Sequence, residues 1–104
     1  MTQDARTLDE TALGAALTRL PGWRRAGRAG RALEKTYRFA DFRAALAFVN
    51  RVGELAERQQ HHPDIAIHYS EVTLTLWSHD AGGVTARDVK LAEAIDAYCQ
   101  PTTS

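Results

Sequence analysis

The chain has 104 residues, 44% hydrophobic and 25% charged, a make-up that suits one globular domain with a single core. Thirteen basic residues balance thirteen acidic ones, so no net field recruits nucleic acid or an anionic membrane surface. The lone cysteine, Cys99, excludes an internal disulfide, the polar stretch 1–10 does not read as a signal peptide, and no apolar run nears the roughly 20 residues of a spanning helix. The expectation is a cytoplasmic protein forming a single domain over residues 1–104.

Leu13, Ala16, Leu17 and Leu20 make a short helical stripe within residues 8–20, with Asp9 or Thr11 available as N-cap and Pro21-Gly22 as the stop. Residues 23–28 and 32–39 read as two strands joined around Arg28-Ala29-Gly30-Arg31. In the second of them Leu33, Lys35, Tyr37 and Phe39 share one face. Five arginines (Arg19, Arg24, Arg25, Arg28 and Arg31) crowd this region. They form either a solvated strand face or turn, or a contact with an anion or a partner subunit.

Asp41 is placed to cap a long helix running to about Gln60, with Phe42, Ala45, Leu46, Val49, Val52 and Ala56 recurring on one face. Gly53 costs that helix about 1 kcal/mol relative to alanine, which close packing on a strand or another subunit would explain. Pro63 ends the segment. Alternating residues at 65–69 and 72–77 then predict a hairpin joined at Ser70-Glu71. After the turn His79-Asp80-Ala81-Gly82-Gly83, Thr85-Ala86-Arg87-Asp88 has the form of a capping box, with Asp in place of the usual Glu. It opens a last helix carrying Val89, Leu91, Ala92, Ile95 and Tyr98, and Pro101 stops that helix. The order helix, two strands, helix, two strands, helix suggests an α+β fold with helices over one face of an antiparallel sheet.

All four histidines fall between residues 61 and 79, and two stand in the run Glu57-Arg58-Gln59-Gln60-His61-His62-Pro63. Imidazole gives or takes a proton near neutrality, so the cluster is a candidate for acid–base chemistry. At four-residue spacing Glu57 and His61 lie on one helical face and are expected to pair. The helix C-terminus and the carboxylate both favour imidazolium there, while burial opposes it. His79 ends the second hairpin strand, and a hairpin packed back on the long helix brings it toward the same corner. The duller alternatives are a C-terminal helix cation for His61, a surface pair for Glu57 and Arg58, a helix cap for Asp88, and packing for Trp23 and Trp77. His68 reads as solvent-facing. A zinc site from Glu57, His61 and His79 is a further alternative. Against it, the spacing is not His-Glu-x-x-His and neighbouring helical residues diverge by about 100°, so no metal is expected.

Glu57-x-x-x-His61-His62-Pro63, then Tyr69, Val72 and Leu76, then Ser78-His79-Asp80 and Gly82-Gly83-x-Thr85-x-x-Asp88, resembles the pterin-4a-carbinolamine dehydratase family over roughly residues 20–98. The resemblance implies a four-stranded antiparallel sheet with three helices packed on one face, assembled as homodimers or homotetramers. It implies loss of water from a 4a-hydroxytetrahydropterin to give quinonoid dihydropterin, which a reductase recycles. In forms serving aromatic amino-acid hydroxylases, the hydroxylase makes that substrate. By the same resemblance His61, His62 and His79 carry catalysis and Glu57 orients the pair. Backbone around His61, His62 and Pro63 and around Ser78, His79, Asp80 and Ala81 holds the pterin, with Trp23 near it. The pterin is the substrate, so no cofactor is expected. Gln60, where many relatives have an acidic residue, and Trp77, where a smaller one is common, depart from the pattern. Some lineages use the fold as a non-catalytic assembly or dimerisation factor, which is the second reading.

Overall fold

The computed structural model describes residues 6–99. Its first helix, α1 (Glu10–Thr18), begins where the Asp9 carboxylate accepts from the Ala12 N–H at 2.8 Å, so the cap trims the expected helix at its start. Leu20 lies beyond the helix yet is buried, closing the turn that leads to β1 (Arg24–Ala26). That strand is shorter than residues 23–28. Gly27 at φ 76° and a 3-10 turn over Arg28–Gly30, with Ala29 at φ 57°, take the chain off the ladder before β2 (Ala32–Arg38) begins.

Asp41 caps α2 (Phe42–Gln59) by accepting from the Ala44 N–H at 2.8 Å, as its position before the apolar stripe predicts. The hairpin β3 (Asp64–His68) and β4 (Glu71–Leu76) turns at Tyr69-Ser70, one residue earlier than the sequence pattern suggests. Tyr69 sits at φ 56°, a left-handed position that leaves the strand and makes His68 and Glu71 the last pair. The final helix is α3 (Ala86–Cys99).

The four strands form one antiparallel sheet in the order β1-β2-β4-β3. Its register pairs Leu33 with Leu76, Lys35 with Leu74 and Tyr37 with Val72, which puts these side chains on the face under the helices. Ala45, Phe48, Val52 and Ala56 of α2 and Leu91, Ala92 and Ile95 of α3 close over them. Phe48 stacks at 4.7 Å from Tyr37 and 4.9 Å from Phe39, and burying such a side chain contributes about 1.5–3 kcal/mol. The opposite face is polar. Thr36 and Thr73 hydroxyls meet at 2.9 Å, and Arg38 pairs with Glu71 at 3.0 Å. The α+β architecture with helices on one face is therefore as the sequence implied.

Asp96 of α3 fastens the helix layer to the sheet. It accepts from the Tyr37 hydroxyl at 2.7 Å, from Lys35 Nζ at 3.1 Å and from the Trp23 indole N–H at 3.1 Å. With that frame set, the C-terminus of α2, the end of β4 and the N-terminus of α3 meet at one corner, where the histidines lie.

Candidate active site

The α2 helix ends in a turn that sorts the two adjacent histidines. Gln60 adopts the left-handed conformation (φ 51°, ψ 43°). Its N–H bonds back to the Glu57 carbonyl, and the His61 N–H bonds to the Ala56 carbonyl, the paired closure of a Schellman motif. The reversal leaves His61 only 8% exposed and His62 in solvent. It also changes the pairing expected from helical spacing. Glu57 meets His62, not His61, with Oε2 2.6 Å from Nε2. Four-residue spacing applies only while the helix continues, and here it stops before the first histidine.

His61 instead finds Asp88, with Nε2 2.5 Å from Oδ1. Asp88 is fully buried at the first turn of α3, where its other oxygen accepts from the Thr85 N–H at 2.8 Å and from the Ser78 hydroxyl at 2.9 Å. The first of these is the reach-back of a capping box, and Thr85 Oγ1 in return accepts from the Arg87 N–H at 3.2 Å. Asp88 is thus a helix cap, as its sequence position indicates, and also the partner of His61, which sequence reasoning missed. The available signals were the Asp where a capping box favours the longer Glu or Gln and its place in the motif Gly82-Gly83-x-Thr85-x-x-Asp88. A carboxylate only accepts, so Nε2 of His61 is the donor to Asp88, and Nδ1 is the ring nitrogen left for another partner.

The third histidine comes from the loop after β4. The Ser78 carbonyl accepts from the N–H groups of Ala81, Gly82 and Gly83, and the Ser78 N–H donates to the Gly83 carbonyl at 2.8 Å, which cinches the loop. His79 projects from it, exposed, with no hydrogen-bond partner among the described residues. Its ring stacks on the Trp77 indole at 4.1 Å and 31°. Asp80 pairs with Arg87 at 2.7 Å, and that bond holds its carboxyl below the usual carboxylate range.

These elements enclose a cleft of about 480 Å³ lined by Gln60, His61, His62, Pro63, Asp64, Trp77, His79 and Asp80. His61, His62, His79, Pro63 and Asp80 are thus brought together. Ser78 lies behind them, buried on Asp88, and Ala81 lines a neighbouring cavity. Glu57 stands beside the cleft through His62. Trp23 is not brought there. It is 6% exposed, held to Asp96 and set edge-on against Tyr37 at 6.4 Å, so it is a core residue. His68 is exposed on β3, away from the cluster. Among the described residues, no three His, Cys, Asp or Glu side chains gather closely enough to hold a metal ion.

The α+β scaffold thus sets three imidazoles around one cleft, two of them each held by a carboxylate and the third stacked on Trp77. The profile of the pterin 4 alpha carbinolamine dehydratases matches residues 6–98. A relative from Thermomicrobium roseum, provisionally named a pterin-4-alpha-carbinolamine dehydratase, is 51% identical over 88 residues, covering 85% of this chain and 91% of its own length. One from Koribacter versatilis with the same name is 51% identical over 88 residues, covering 85% and 90%. The chain belongs to the pterin-4a-carbinolamine dehydratase family. Among solved structures, a transcriptional coactivator/pterin dehydratase from Brucella melitensis superposes with a TM-score of 0.83 at 34% identity, over 88% of this chain and 97% of that one. A pterin dehydratase-like protein described as a RuBisCO assembly factor of the alpha-carboxysome superposes with a TM-score of 0.64. At 23% identity, over 78% and 93% of the two chains, it shares the fold alone.

Proposed function

We propose that this protein dehydrates a 4a-hydroxytetrahydropterin to quinonoid dihydropterin and water by histidine acid–base catalysis, acting in the cytoplasm in the recycling of tetrahydropterins. The reaction needs a proton delivered to the hydroxyl on C4a, cleavage of the C4a–O bond, and loss of the proton on N5 as the C4a=N5 bond forms. No redox change is involved. His79, exposed and without a hydrogen-bond partner among the described residues, acts as the acid toward the departing hydroxyl. His61, its Nε2 committed to Asp88, offers Nδ1 as the acceptor for the nitrogen-bound proton. His62, oriented by Glu57, holds and polarises the ring. Each positioned proton transfer typically contributes about 10²–10⁴-fold.

The observation that carries this reading is the convergence of three histidines with different partners on one cleft. The assembly-factor reading draws on a neighbour that shares only the fold, and fold alone does not set function. A homo-oligomer belongs to the same proposal. Strand β3 is a sheet edge exposed along its length, with Ile65 and Ile67 38% and 39% exposed, and an unpaired edge of that kind invites a second copy. The test is to add the protein to chemically generated 4a-hydroxytetrahydropterin and follow the ultraviolet absorbance. Acceleration over buffer, reduced at least about a hundredfold in His62→Ala and His79→Ala, is expected. Unchanged dehydration in either variant refutes that histidine's role.

A further inference from the structure

A second cavity, of about 530 Å³, adjoins the histidine cleft and shares Asp64 and Trp77 with it. Its remaining walls are Gly27, Arg31, Ala32, Thr75 and Gly82, all outside the histidine cleft. Trp77 and Asp64 therefore stand between two adjoining spaces. One carries the three histidines, and the other carries one cationic side chain, with the Asp64 carboxylate at the wall they share.

That cation is one of the arginines crowded between residues 19 and 31, and its circumstances differ from those of its neighbours. Arg19 ends on Glu93 at 3.5 Å, Arg24 on Glu34, and Arg25 on both oxygens of Glu10 at 2.6 and 3.0 Å. Arg31 is exposed, makes no ion pair among the described residues, and leaves the turn formed by Ala29 and Gly30, both at positive φ. In the same cavity, a Cβ added at Gly82 would meet nothing within 4 Å, so that wall is bare. The Asp64 carboxylate lines the same cavity, but no ion pair joins it to Arg31 among the described residues, so the guanidinium keeps its donors for a bidentate grip on an incoming carboxylate or phosphate.

The geometry points to a substrate-tail subsite: the cavity beyond Trp77 receives the substituent on C6 of the pterin, and Arg31 selects tails that end in an anion. This rests on the dehydratase reading given above. C6 is separated from C4a only by N5. A ring that presents C4a to the histidines therefore brings its C6 chain within reach of the adjoining space lined by Arg31. Asp64, at the junction, and the Thr75 hydroxyl accept from hydroxyl or amide groups along the chain before its charged end. Arg31 is a specificity residue here and takes no part in the proton transfers.

The test measures binding and turnover separately. Stable 7,8-dihydropterins whose C6 chain ends in a hydroxyl, a carboxylate or a phosphate are titrated against the intact protein by calorimetry. The same three tails are then offered on 4a-hydroxytetrahydropterins. The expected result is that the wild type binds one of the anionic tails about tenfold more tightly than the neutral one, the carboxylate and phosphate arms showing which anion fits. That ratio falls to about one in Arg31→Gln and is partly kept in Arg31→Lys. A wild-type ratio near one, or a preference that survives in Arg31→Gln, overturns the subsite. Dehydration without anion preference removes the subsite and leaves the dehydratase reading standing. Anion preference without dehydration does the reverse, and absence of any pterin binding removes both.

Discussion

Asp88 carries two structural duties with one carboxylate, closing the first turn of α3 and fixing His61. Asp88→Asn preserves its shape but brings an amide donor to groups that already donate. Expected are a loss of about 1–3 kcal/mol of stability from the buried mismatch and a kcat reduced by about 10²–10⁴-fold. Urea unfolding and the dehydration assay read the two effects separately. A variant that keeps full kcat would leave Asp88 as a cap alone. The His62–Glu57 pair is different in kind. Both side chains are mostly in water, so the contact orients the imidazole and adds little to stability. Asp80, held down by Arg87, supplies a residue-scale pH signature. A carboxyl whose folded pKa is depressed stabilises the fold above its ordinary range near 4 and loses that contribution as pH falls through the lowered value. In Arg87→Ala the Asp80 titration should move up toward the ordinary range, observable by carboxyl-detected NMR, and an unmoved midpoint would show that Arg87 is not the cause.

Three turns account for most of the differences between expected and observed elements. Gly27 and then Ala29 shorten β1, Gln60 exchanges which histidine meets Glu57, and Tyr69 moves the hairpin turn by one residue. A left-handed residue normally announces itself as Gly or Asn, so the turns at Gln60 and Tyr69 were silent in the sequence. The caps were legible. Asp9, Asp41 and the Thr85–Asp88 box all act where the patterning places them. The histidine cluster was legible as a group, because strand order and helix packing bring the end of α2 and the end of β4 to one corner. Its partners were not, since they depend on the direction of a single turn and on a residue 27 positions away. Gly53 remains a soft point in α2. A Cβ there meets nothing within 4 Å, so Gly53→Ala should raise stability by about 1 kcal/mol in urea unfolding. A loss of stability instead would indicate that something packs on that glycine outside the single chain.

As a whole, the sheet has one covered face, one polar face and two edges, of which β3 is the longer and exposed at every residue. Ile65 and Ile67 lie on the helix-side register of β3 but at the margin of the core, and Asp64 and His68 face the other way. If that edge joins a second copy, Ile67→Lys should convert the assembly to monomer in light scattering at micromolar concentration, and an unchanged mass would move the interface elsewhere. All three histidines of the cleft are contributed by one chain. The decisive experiment is therefore the rate at which 4a-hydroxytetrahydropterin loses water in the presence of the purified protein. Rapid, saturable dehydration that collapses in His79→Ala is the expected result. A rate equal to buffer, with the pterin bound and the protein folded, would contradict the assignment of this cleft to proton transfer.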